Sequence, residues 1–129
     1  WPAPRFLELI QALRAAGREV RVLLGEAEMD RWPTELLMQF ESAAQVRRPG
    51  TLLELLEQIA AASVFVGNDS GPGHLAGILG VPTVSLFGPN SDPVRWRPLG
   101  PAVTVLHACA IDQIRVEDVV AAVAGHIDQ

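Results

Sequence analysis

Apolar and polar positions along the chain switch between a helical and a strand period from one end to the other. Phe6, Ile10 and Leu13 recur at helical spacing, and Gly17 stands where a C-terminal cap belongs. Val20 to Leu24 is a short apolar run suited to a buried strand. Helical spacing returns over Met29 to Ser42, where Pro33 is tolerable only in the first turn, and Ala43 to Arg47 reads as a short strand. Thr51-Leu52-Leu53-Glu54 is a capping box, in which Thr51 and Glu54 satisfy N–H groups at a helix start. The helix it opens is expected to bury Leu52, Leu55, Leu56 and Ile59.

The second half repeats the alternation. Ser63 to Gly67 reads as a strand, followed by a loop over Asn68–Gly73 and a short helix that closes at Gly80. Pro82 to Phe87 and Ala102 to His107 are further strands, and Val116, Val119, Val120, Val123 and Ile127 mark a final amphipathic helix. Strands that alternate with helices predict an α/β fold, with a parallel sheet covered by helices on both faces. Ligands of such sheets bind beyond the carboxyl ends of the strands. Two loops leaving strand ends carry the least ordinary residues: Asn68–His74 and Gly88–Gly100.

Composition narrows the picture. The 129 residues suffice for one domain with a real core, residues 1–129, and not for two. The formal net charge is −5, and the only adjacent basic pair is Arg47-Arg48, which makes nucleic acid a poor partner. All ten basic side chains are Arg, so a phosphate here must be held by backbone N–H groups, by Arg or by another domain, never by a Lys of this chain. Cys109 is the single cysteine, which excludes a disulfide framework and a Cys-x-x-Cys metal site and suits a reducing compartment. Arg5 and Glu8 interrupt the start, so no signal peptide is read there. Ser70 to Ser91 has 22 residues without a formal charge, a membrane span by length. Pro72, Pro82 and Pro89 with five glycines break it into a short helix, a turn and a buried strand. No His, Cys and Asp spacing suggests a metal site.

The loop after the 63–67 strand runs into a helix N-terminus, where N–H groups and the helix dipole favour an anion. Gly71 and Gly73 would let a phosphate come close to the backbone, Pro72 fixes the turn, and Asp69 suits sugar hydroxyls because a carboxylate repels phosphate. A plain strand-to-helix turn with Asp69 or Ser70 as N-cap fits the same residues. His74 is read either as a donor to that phosphate or as a structural cap.

The run Val66-Gly67-Asn68-Asp69-Ser70-Gly71-Pro72-Gly73-His74-Leu75-Ala76, with Gly80-Val81-Pro82-Thr83-Val84-Ser85-Leu86-Phe87-Gly88-Pro89 and Asp92-Pro93-Val94-Arg95-Trp96, closely resembles the signature of family 9 glycosyltransferases. These include the heptosyltransferases of lipopolysaccharide core assembly. Trp1-Pro2 resembles the Trp-Pro that opens the first helix of the C-terminal half in that family, and Leu23-Leu24-Gly25-Glu26-Ala27-Glu28 resembles its strand end with an acidic residue on the ribose. The resemblance implies a Rossmann-like donor domain of a GT-B type enzyme. Asp69, Ser70, Gly71, Pro72, Gly73 and His74 would bind a nucleoside-diphosphate sugar, with an ADP-sugar favoured. Glu28, or next to it Glu26, would hold the ribose, although a first-turn acid stabilising a helix start fits as well. Two departures stand out: Gly88-Pro89-Asn90-Ser91-Asp92-Pro93 is one residue longer than the usual form, and Gly73 replaces a larger residue.

By the same resemblance no catalytic residue falls in this chain. The acceptor site and the base carboxylate belong to an N-terminal half, and the nucleotide sugar is substrate, with no cofactor expected. The implied enzyme is cytoplasmic, at the inner face of the inner membrane, and has no transmembrane segment. A strand that relatives carry just before Trp-Pro would be the middle one in the strand order 3-2-1-4-5-6. Without it, either the neighbours close up, with 20–24 paired directly to 63–67, or another chain fills the space, or the 129 residues are a piece of a longer protein. A stand-alone nucleotide-binding or interaction module and half of a sugar-nucleotide epimerase remain as alternatives.

Overall fold

Parallel strands cannot be joined by tight turns, so each return requires a crossover that packs on a face of the sheet. The computed structural model describes residues 1–25, 30–68, 71–89 and 98–127, and shows this pattern throughout. Helix α1 (Ala3–Ala15) leads to β1 (Arg21–Leu23), α2 (Thr34–Ala43) to β2 (Gln45–Arg47), α3 (Leu52–Ala60) to β3 (Phe65–Asn68), and α4 (Gly71–Ile78) to β4 (Thr83–Phe87). Strand β5 (Val103–His107) is followed by a 3-10 turn at Ile111–Gln113 and by α5 (Val116–Ile127).

The strands form two parallel groups. One pairs β1 with β2, Val22 opposite Val46, and the other runs β3-β4-β5, with Gly67, Ser85 and Val105 in line. Strand β1 therefore does not pair with β3: the neighbours have not closed up, and among the described residues neither has a strand on its second edge. Both nevertheless share the same two apolar layers. Val20 beside β1, with Val64 and Val66, packs on the cluster of Leu9, Leu13, Val84, Leu86, Val119 and Val123 contributed by α1, β4 and α5. Leu23 of β1 and Phe65 of β3 pack on the opposite cluster of Ile59, Ala76 and Val81. Helices thus cover both faces, as the alternating pattern predicts.

Local chemistry explains the element ends. Gly17 and Gly80 adopt φ of 82° and 78°, a left-handed cap that a side chain disfavours. Thr51 Oγ1 accepts from the Glu54 N–H at 3.1 Å, while the Glu54 carboxylate reaches one residue further back and accepts from the Gly50 N–H at 2.6 Å. Three expectations are corrected. Pro33 is the N-cap of α2, just outside it, because its φ of −59° with ψ of 149° is extended. Leu52 is 63% exposed instead of buried, since the inner face of α3 meets its cluster only from Leu55 on, a turn later. Helix α4 begins at Gly71, so Pro72 and Gly73 lie in its first turn and not in a loop; Pro is tolerated there because first-turn N–H groups need no intrahelical acceptor. The uncharged stretch divides into α4, a turn and β4, and no described helix is long and apolar enough to cross a membrane.

One contact fixes α4 against the chain that returns to β5. A Cβ built on Gly77 would lie 2.5 Å from the Leu99 carbonyl oxygen, and one on Gly100 would lie 2.2 Å from that of Gly77. Gly125, inside α5, has nothing within 4 Å of the same position. Alanine usually stabilises a helix interior relative to glycine, so the two sites should respond with opposite signs. Gly125→Ala is expected to raise unfolding free energy by about 0.5–1 kcal/mol. Gly77→Ala is expected to lower it by about 1–3 kcal/mol through overpacking. Urea denaturation of both variants checks the pair.

The unpaired edges carry a second prediction. Among the described residues no strand pairs with the second edge of β1 or of β3, and such edges are templates for another strand. The 129-residue chain is expected to associate as its concentration rises, and sedimentation velocity over a hundredfold range would detect it.

Candidate nucleotide site

The carboxyl end of β3 is where the motif residues begin. Asn68, half-buried, closes the strand, and its side-chain Oδ1 accepts from the terminal amino group of Trp1 at 2.7 Å. Trp1 is itself held firmly. Its indole N–H donates to the Ile114 carbonyl at 2.9 Å, its ring meets Phe6 edge-on at 5.1 Å, and it is 7% exposed within the α1–β4–α5 core. Trp1 thereby joins the start of α1, the end of β3 and the approach to α5 on the carboxyl side of the sheet.

Helix α4 opens immediately beyond this corner. Its first turn contains no acidic side chain, so nothing in it competes with an external anion for the N–H groups pointing that way. Gly71 is exposed, Pro72 and His74 are half-buried, and Gly73 is buried on the face turned inward with Ala76 and Gly77. Of the two glycines expected to admit a phosphate, Gly71 is thus the open one. Its φ lies outside the left-handed region, and a Cβ there would meet nothing within 4 Å.

Asp69, Ser70, Glu26 and Glu28 lie outside the described residues, as do Asn90, Ser91 and Asp92 to Arg97. The second loop is described at its ends. Gly88 leaves β4 against Ile111, where a Cβ would come within 3.1 Å of the Ile111 Cβ, and Leu99–Gly100 return against Gly77. Sequence reasoning missed the Trp1–Asn68 bond, whose partners stand 67 residues apart with no periodic signal to join them. A hollow of about 960 Å³ lies elsewhere, lined by Arg14, Arg18, Glu41 and Arg47 among others, and contains none of the motif residues. Its basic groups are engaged locally: the Arg14 guanidinium donates to the Ala43 carbonyl, and Arg48 pairs with Glu41.

Comparison with known proteins shows the family and the fold. The chain is 36% identical over 91 residues to lipopolysaccharide heptosyltransferase 1 of Pseudomonas aeruginosa, covering 70% of this chain and 25% of that protein. It spans about a quarter of the length of such curated relatives. The solved structure of Escherichia coli ADP-heptose lipopolysaccharide heptosyltransferase II superposes with a TM-score of 0.79 at 25% identity, over 98% of this chain and 41% of that one. That of E. coli heptosyltransferase WaaC with ADP gives 0.83 at 23% identity, over 98% and 39%. Residues 1–119 match the pattern of glycosyltransferase family 9 (heptosyltransferase), and the chain belongs to that family.

Proposed function

We propose that residues 1–129 are the donor-binding domain of a glycosyltransferase, holding a nucleoside-diphosphate sugar with its diphosphate at the start of α4. The observation that carries the reading is Gly71. Among the described residues neither backbone conformation nor packing requires a glycine there. A bare Cα at the helix start lets a group from outside the chain come close to the backbone N–H groups. Family membership and the two E. coli structures, one of an ADP-heptose heptosyltransferase and the other with ADP, favour an ADP-sugar.

In this reading Asp69 and Ser70 meet the sugar and the diphosphate, His74 donates to the diphosphate, and Glu28 takes the ribose. The whole enzyme transfers heptose or a related sugar to a lipopolysaccharide-type acceptor by direct, inverting displacement. A carboxylate on an N-terminal half removes the acceptor proton. The acceptor oxygen forms its bond to the anomeric carbon as the bond to the diphosphate breaks. The departing charge is met by N–H groups at 71–74 and by a cation from elsewhere. Acceptor and base lie outside these residues, so the chain alone binds donor and transfers nothing. The enzyme works in the cytoplasm at the inner face of the inner membrane. An N-terminal half is also the natural source of a strand between β1 and β3.

Calorimetric titration of the chain with ADP and with UDP tests the site. ADP is expected to bind and UDP to bind more weakly, and Asp69→Ala should weaken an ADP-sugar while leaving ADP itself bound. No heat with either nucleotide would sink the proposal. Gly71→Ala separates site from fold: its Cβ enters open space, so the melting temperature should hold or rise. ADP affinity should drop by about tenfold, equivalent to about 1.4 kcal/mol.

A further inference from the structure

We infer that the hollow bordered by the carboxyl ends of α1 and α2 and by strand β2 is a second anion site, built for a phosphate group. Its volume is about 960 Å³, and none of the motif residues lines it. Four of the chain's ten arginines do, Arg14, Arg18, Arg47 and Arg48, against two of its fifteen acidic residues, Glu19 and Glu41. In a chain of net charge −5 this is a local reversal of sign. Two separate stretches supply the arginines. Arg14 and Arg18 flank the left-handed cap at Gly17, where α1 gives way to β1, while Arg47 and Arg48 close β2.

The pairing inside the hollow leaves positive charge over. Glu41 is taken by Arg48 at 2.5 Å, and Glu19 by Arg21, outside the lining, at 3.9 Å. Arg14 and Arg47 donate instead to neutral oxygens, those of the Ala43 carbonyl and the Gln45 side chain. Among the described residues neither of these two guanidinium charges meets a carboxylate. Each keeps further N–H donors, in the planar fork that matches phosphate and carboxylate oxygens. The ends of α1 and α2 bring about half a negative charge each, which reduces the surplus without cancelling it. Guarding an exposed strand edge with charge would account for Arg47 and Arg48. It does not account for Arg14 and Arg18, which reach the same space from α1 and the turn after it. Between the two anion types, a phosphate group carries up to about two charges at neutral pH and answers both guanidiniums, whereas a carboxylate answers one.

Amide NMR of the 129-residue chain tests the site, by titration with inorganic phosphate at low, constant ionic strength and with acetate as the singly charged comparison. Amides over Arg14–Glu19 and Ala44–Arg48 are expected to shift saturably with phosphate and little with acetate. The start of α4 is read separately at Gly71–Leu75, so either site can fail without the other. Arg14→Gln and Arg47→Gln should each weaken phosphate at the hollow by about tenfold, while Arg31→Gln, outside it, leaves affinity within about twofold. Vesicles of phosphatidylglycerol distinguish the source of the phosphate. Co-sedimentation that the Arg14→Gln, Arg47→Gln double variant loses assigns a lipid headgroup; phosphate binding without co-sedimentation assigns a soluble phosphate. Shifts that never saturate, or that survive both substitutions, overturn the inference. Acetate matching phosphate overturns it as well, and directs attention to an acidic polypeptide. Should Arg14→Gln not fold for want of its bond to Ala43, Arg18→Gln takes its place.

Discussion

Complete burial of β4 on both faces is the constraint from which most of the architecture follows. Thr83, Val84, Leu86 and Phe87 are each 0% exposed and Ser85 is 2% exposed, in a strand paired on both edges with parallel neighbours. A strand in that position needs an apolar layer above it and another below. Alternation sends Val84 and Leu86 into the layer made with α1 and α5, leaving Thr83, Ser85 and Phe87 for the side of α3 and α4. Thr83 satisfies its hydroxyl on the Val81 carbonyl at 2.8 Å, whereas Ser85 Oγ has no partner among the described residues, a cost of placing a hydroxyl mid-strand. Because β3, β4 and β5 run the same way, their carboxyl ends emerge together. The Trp1–Asn68 corner and the start of α4 therefore share one side of the sheet.

What the sequence made legible was whatever depends on neighbours a few residues apart. The helical spacing of Phe6, Ile10 and Leu13, the cap glycines at 17 and 80, and the Thr51 cap appear in the structure as read. Leu52 was misjudged because periodicity identifies the inward face of a helix but not where along it the rest of the protein stops. The start of α4 was misjudged because Pro72 and Gly73 are poor helix formers in isolation, yet the first turn asks little of either. The site divides similarly. Its location after β3 followed from local pattern, whereas Asn68 acquired a partner only through a contact 67 residues long.

The glycines around α4 show why one residue type cannot be read one way. Gly80 is demanded by its φ, and Gly77 by a carbonyl where its Cβ would stand. Gly71 is demanded by neither, and on the proposed reading its reason lies in electrostatics. A chain of net charge −5 without lysine repels a diphosphate at a distance. At physiological ionic strength that repulsion fades over about 8 Å, while a helix N-terminus acts only within its first turn. Affinity for an anion therefore has to come at hydrogen-bond range, about 2.9 Å from backbone nitrogen. A side chain on the first helical residue would hold the ligand outside that range. The helix must also point at the ligand to within a fraction of that distance. An open Cα at Gly71 answers that requirement on the proposed reading, because backbone donors cannot follow a ligand as a lysine side chain does.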